Sequence, residues 1–264
     1  AIYGLPTIVG RLLNYFLVPL YTGVDAFSRA EYGTLSELYA WVAFLIVLLT
    51  FGMETAFFRF INKAPSQKKT VQSTALVSIG MSSLSFFLVA FLFREQLANL
   101  IDFNTQFVTY ALLILLLDAL VIIPFVWFRA NEKPLKYALI KIINVCINLG
   151  CNLFFLLALP LLASNDPNAF WQSLYIQENT VMYVFISNVI ASGATLVLLL
   201  GVYFKIGFHF SVSIWKKMLR YSFPVLIAGV AFSINEAFDK ILLNYLLPPD
   251  IAANEVGVYA ACYK

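Results

Sequence analysis

The sequence predicts an all-α, polytopic transmembrane helical bundle: an N-terminal six-helix lobe followed by the start of a second, repeated lobe. Three observations carry this. Hydrophobic residues make up 61% of the 264, charged residues only 12%, and mean hydropathy is +0.85, values outside the range of soluble domains. The apolar residues fall into runs of about twenty, enough at about 1.5 Å per residue to cross a hydrocarbon core of roughly 30 Å. The segments between the runs are short and polar.

In chain order the predicted spans are Tyr3 to Thr22, Leu35 to Phe58, Thr70 to Phe93, Gln106 to Phe128, Tyr137 to Leu162, Thr180 to Phe204 and Ser222 to Leu247, with an eighth opening near Val256. The first six form a lobe over residues 1–204. Residues 205–220, with Ile214 and Trp215 among Lys205, Lys216, Lys217 and Arg220, read as a cytoplasmic amphipathic linker. Residues 221–264 begin a second lobe. Tyr3-Gly4-Leu5-Pro6 is echoed by Tyr221-Ser222-Phe223-Pro224, and Glu31-Tyr32-Gly33-Thr34-Leu35 by Glu255-Val256-Gly257-Val258-Tyr259. Tandem duplication accounts for the echo, and coincidence within apolar sequence is the alternative. The chain opens inside one apolar run and stops as another starts, so a fragment of a longer polypeptide is expected.

Loop charge sets the orientation. The loops after spans two, four and six hold Arg59, Lys63, Lys68, Lys69, Arg129, Lys133, Lys136, Lys205, Lys216, Lys217 and Arg220, while the remaining loops are mostly acidic. By the positive-inside rule the basic loops and the N-terminal side of span one are cytoplasmic. Cys146, Cys151 and Cys262 lie in apolar spans without metal-ligand spacing, and His209 is the only histidine in the sequence. No metal or other cofactor, zinc chemistry or histidine catalysis is therefore expected. The short loops leave no room for a catalytic domain, so the protein is not expected to be an enzyme.

Charges inside the spans are the functional candidates, because an ion at mid-membrane depth costs about 2.5–3.5 kcal/mol and must face protein or water. Arg11 and Asn14 lie in span one. Lys141 is followed on nearly the same face of span five by Asn144, Asn148 and Asn152. This stripe either lines a substrate path or serves interhelical hydrogen bonding. Span seven carries Glu236, Asp239 and Lys240, with Glu236 and Lys240 four residues apart. Glu54 and Asp118 complete the set, and by depth Arg11 suits Asp118 while Glu54 suits Lys141. The substrate-facing candidates are Arg11, Asn14, Lys141, Asn144, Asn148 and Lys240. The ion-pairing or coupling candidates are Glu54, Asp118, Glu236 and Asp239.

The segment Gly52-Met53-Glu54-Thr55-Ala56-Phe57-Phe58-Arg59, with Ser222-Phe223-Pro224, Asp239-Lys240-Ile241-Leu242-Leu243 and Gly257-Val258-Tyr259, resembles the polysaccharide-transporter branch of the multidrug/oligosaccharidyl-lipid/polysaccharide exporter superfamily, the Wzx-type O-antigen flippases. The resemblance implies two lobes around a central cavity lined by the first and seventh helices. It also implies a bacterial inner-membrane location and a substrate, an undecaprenyl-diphosphate oligosaccharide turned between leaflets for lipopolysaccharide or related surface glycans. Membrane lipids are then partners, nucleic acid is not, and proton or sodium coupling fits the buried carboxylates. Two other readings stand beside it: a cation-coupled multidrug exporter, which needs an acidic cavity, and a membrane glycan polymerase or transferase, which needs a large outer loop or an acidic metal motif.

Overall fold

The computed structural model of the chain describes residues 4–22, 27–63, 67–165, 170–175 and 180–262; the side chains of Arg11, Asn14 and Glu236 lie outside the described residues. Twelve α-helices follow one another, with no strand among the described residues: α1 (Leu5–Thr22), α2 (Arg29–Thr50), α3 (Met53–Lys63), α4 (Lys68–Leu92), α5 (Arg94–Leu100), α6 (Thr105–Ala130), α7 (Pro134–Leu153), α8 (Leu159–Asn165), α9 (Phe170–Leu174), α10 (Thr180–Ile206), α11 (Val212–Leu246) and α12 (Pro249–Cys262). Among the described residues six segments are long and apolar enough to cross a membrane: Arg29–Lys63, Lys68–Leu92, Thr105–Ala130, Pro134–Ser164, Thr180–Ile206 and Val212–Asn235. The protein is a multi-pass helical membrane protein.

Span two is not one straight helix. Its start is fixed by a capping box, in which Ser28 Oγ accepts from the Glu31 N–H at 3.2 Å and Glu31 Oε2 accepts from the Ser28 N–H at 2.7 Å. Its end comes earlier than the hydropathy suggests, because Phe51 (φ 36°) and Gly52 (φ 68°) both turn left-handed before α3 resumes. Glycine suits position 52 for a second reason. A Cβ there would come within 2.8 Å of the Ser222 carbonyl oxygen on α11.

Span five bends for a similar local reason. A π-helical turn, Phe154–Ala158, separates α7 from α8, and the Leu159 N–H reaches the Phe154 carbonyl five residues back. Pro160 follows at once. It has no N–H to give and its ring crowds the preceding turn, so a widened turn is the accommodation that keeps the neighbouring bonds.

The core is layered along the bundle. Towards the basic loops, Met53 and Phe57 of α3, Ile123 of α6, Leu199 of α10 and Met218 of α11 are all buried together. Towards the acidic loops, Leu35 and Leu38 of α2 pack with Leu17 of α1, Ile114 of α6 and Phe185 of α10. Lipid tails are as apolar as these side chains, so close packing rather than escape from water holds the layers together.

The segment 205–220 joins two helices through a short non-helical stretch. Only residues 207–211 leave helical geometry, and from Val212 the chain runs as one 35-residue helix through Pro224 to Leu246. Ile214 and Met218 are buried against the basic-loop core, and the Trp215 indole Nε1 donates to Ser78 Oγ at 2.8 Å. The apolar face of this segment thus docks against the bundle, with Trp215 bonded to α4, while Lys216, Lys217 and Arg220 stay exposed. α11 and α12 then pack chiefly on α2.

Candidate functional site

Two hollows into which polar side chains project lie along α7 and α10 and share Asn188 in their linings. The first, about 310 Å³, opens in the basic-loop half. Glu54, held in the first turn of α3 by the Gly52 break, forms an ion pair with Arg129 in the last turn of α6. The Arg129 guanidinium also sits 5.0 Å from the Phe58 ring centre. Deeper in, the Lys141 ammonium lies 4.4 Å over the Phe125 ring. Asp118 accepts from Ser192 Oγ at 2.7 Å and lies within electrostatic reach of Lys141. Asn144 donates to Thr195 Oγ1 at 2.9 Å. Two acids and two bases in this lining balance each other.

The second hollow, about 420 Å³, lies between α1, α2, α7, α10, α11 and α12. Leu17 and Tyr21 reach it from α1, Tyr39 from α2, Asn148 from α7 and Lys240 from α11. Tyr21 OH donates to Asn152 Oδ1 at 2.9 Å, and Asn152 Nδ2 donates to Asn148 Oδ1 at 2.8 Å. Asn188 Nδ2 donates to Tyr39 OH at 3.0 Å, and the Tyr39 ring stacks on Phe185 with centres 5.4 Å apart. Among the described residues this lining carries one charged side chain, Lys240. Its Nζ is 3.7 Å from Asp239 Oδ1, and Asp239 Oδ2 accepts from Tyr259 OH at 2.6 Å. Lys240, paired with Asp239, is thus the charged group that this hollow presents among the described residues.

The structure divides the expected site residues between the two hollows. Lys141, Asn144, Glu54 and Asp118 meet in the first, and Asn148 and Lys240 in the second, with Asp239 behind Lys240. Arg11, Asn14 and the Glu236 side chain fall outside the described residues, although residues 11 and 14 belong to α1, whose Gly10 lies against Val145 of α7. The expected pairing of Glu54 with Lys141 is replaced by Glu54 with Arg129, because α6 ends beside the start of α3. Of the asparagine stripe, Asn144 and Asn152 serve interhelical bonds and Asn148 faces the hollow. Sequence reasoning missed Tyr39, Asn188, Ser192, Thr195 and Arg129. Asn188, Ser192 and Thr195 stand four and three residues apart, a polar stripe on one helical face that mirrors the stripe on α7.

Residues 1–264 match the model of the polysaccharide biosynthesis protein family. The chain belongs to that family. No curated protein and no solved structure matches it. For a polysaccharide biosynthesis protein built of spanning helices around hollows into which polar side chains project, a role in moving material across a membrane fits both the family and the fold.

Proposed function

We propose that this protein is a flippase that turns an undecaprenyl-diphosphate oligosaccharide from the cytoplasmic to the outer leaflet of a bacterial inner membrane, in a Wzx-like manner, without catalysing a chemical step. One observation carries the reading: the hollow bordered by α1, α7 and α11 presents Lys240 together with amide and phenol groups. A diphosphate leaving water needs cationic donors, and hydroxyl-rich sugar suits amides and aromatic faces. The basic-loop end is cytoplasmic in this reading, following loop charge. Arg11 on α1 is assigned to the same path. The first hollow, with Glu54 and Asp118 among its lining, supplies carboxylates for proton or sodium coupling.

The close crossing of α2 with α12 lies at the acidic-loop end and the first hollow towards the other, an asymmetry that supports alternating access. A cation-coupled drug exporter is the weaker reading, since it needs an acidic cavity, whereas Arg129 and Lys141 offset the two acids of the first hollow and the described lining of the second carries no acid. The test is complementation of glycan export by the full-length protein. Lys240→Ala and Arg11→Ala are each expected to abolish export at normal membrane levels. Full export by both variants would remove the cationic path.

A further inference from the structure

Glu37 is a carboxylic acid shut inside a helix seam, outside both hollows. It lies on α2 one turn past Gly33 and on the same face, so it sits beneath α11 and α12. Its side chain is 2% exposed. Trp41 and Asn244 lie within hydrogen-bonding reach of its carboxyl, but Glu37 Oε1 and the Trp41 indole nitrogen make no hydrogen bond of good geometry among the described residues. A charged carboxylate in that position is costly to bury, and a protonated one much less so.

Among the described residues Glu37 forms no ion pair. The buried face of α12 is Ala252, Val256, Gly257 and Ala260. From α11, Tyr245 is within electrostatic reach of Glu37 and of Asp102 in the α5–α6 turn, while Asp239 and Lys240 contact each other.

We propose that Glu37 is a proton-operated latch on the seam between α2 and the α11–α12 pair. With a proton on its carboxyl the seam closes dry; once ionised it requires water, and the seam opens towards the acidic-loop side. The proton comes from and returns to bulk water on that side, and no bond other than O–H is made or broken. The latch rests on the alternating-access reading above and gives it a chemical trigger. The sign follows: acid favours the closed seam and alkali the open one.

The test uses the full-length protein, free of native cysteines, spin-labelled through Arg29→Cys and Asn254→Cys, both exposed sites. Pulsed dipolar EPR then reads the separation of α2 from α12 from acidic to alkaline buffer. The closed-to-open ratio is expected to fall by up to about tenfold per pH unit, the limit for one linked proton. Glu37→Gln, a neutral isostere, and Glu37→Met, an apolar replacement, are each expected to hold the short distance at every pH. A ratio that ignores pH in the unsubstituted protein, or a pH response kept in either variant, overturns the latch. A pH response that depends on Glu37, in protein that moves no lipid-linked oligosaccharide, supports the latch and removes the flippase reading instead.

Discussion

Gly33 of α2 and Gly257 of α12 face each other across one helix crossing, each against the other helix's backbone. A Cβ at residue 33 would come within 2.0 Å of the Ala253 carbonyl oxygen, and one at 257 within 2.1 Å of the Arg29 carbonyl oxygen. The blocking atoms are backbone, so no side chain can swing aside. These two glycines are also corresponding positions in the Glu-x-Gly echo of the sequence.

Gly33→Ala and Gly257→Ala are therefore expected to push the two helices apart, each at about 1–3 kcal/mol of overpacking cost. Because both open the same gap, the double variant should lose less than the sum. Thermal unfolding of the purified full-length protein, with the four-membered cycle, checks this; simple additivity would show that the two sites do not share a crossing.

The ion pair of Glu54 with Arg129 has both side chains 42% exposed. Such pairs contribute about 0–1 kcal/mol. Glu54→Gln and Arg129→Gln should thus leave thermal stability nearly unchanged, and a large loss would mean that the pair is sheltered from water in the native membrane.

Asp118 and Lys141 are expected to behave differently, since both lie deep between α6, α7 and α10. Asp118→Leu leaves the Lys141 ammonium without its neighbouring acid, and Lys141→Met should recover part of the loss. A coupling of about 0.5–3 kcal/mol from a double-mutant cycle on thermal stability is expected; zero coupling would separate the two groups.

Tyr21→Phe removes the donor to Asn152, a residue with no solvent exposure. The cost should be near 1 kcal/mol. Asn152→Ala should cost more, because it also frees the Asn148 carbonyl oxygens that Asn152 satisfies. Equal costs would argue that the Asn148 bonds contribute nothing.

Much of the fold could be read directly from hydropathy. α4, α6 and α10 occupy nearly the residues expected, since a run of twenty or more apolar residues in lipid has no alternative to helix. The breaks were harder to read. Phe51-Gly52 sits inside an apolar run, where a left-handed turn leaves no hydropathy trace, and Pro224 suggests a helix start although α11 passes through it. At the site, charge depth picked out Lys141, Asp118 and Lys240. It could not choose partners, which depend on helix rotation, so Glu54 met Arg129 rather than Lys141. Glu37 escaped notice because a lone carboxylate near a predicted helix start looks like an interfacial residue until α11 and α12 are seen to cover it.

The central claim is that the cation at the second hollow holds a lipid's phosphates during transfer. The most direct measurement is translocation of a labelled undecaprenyl-diphosphate oligosaccharide by full-length protein in proteoliposomes, comparing the unsubstituted protein with Lys240→Ala and Lys240→Arg. Loss of one charge-assisted contact is worth roughly 1.5–3 kcal/mol, so Lys240→Ala should weaken saturation about ten- to hundredfold while Lys240→Arg stays close to the unsubstituted protein. Equal translocation by Lys240→Ala and the unsubstituted protein would contradict the account.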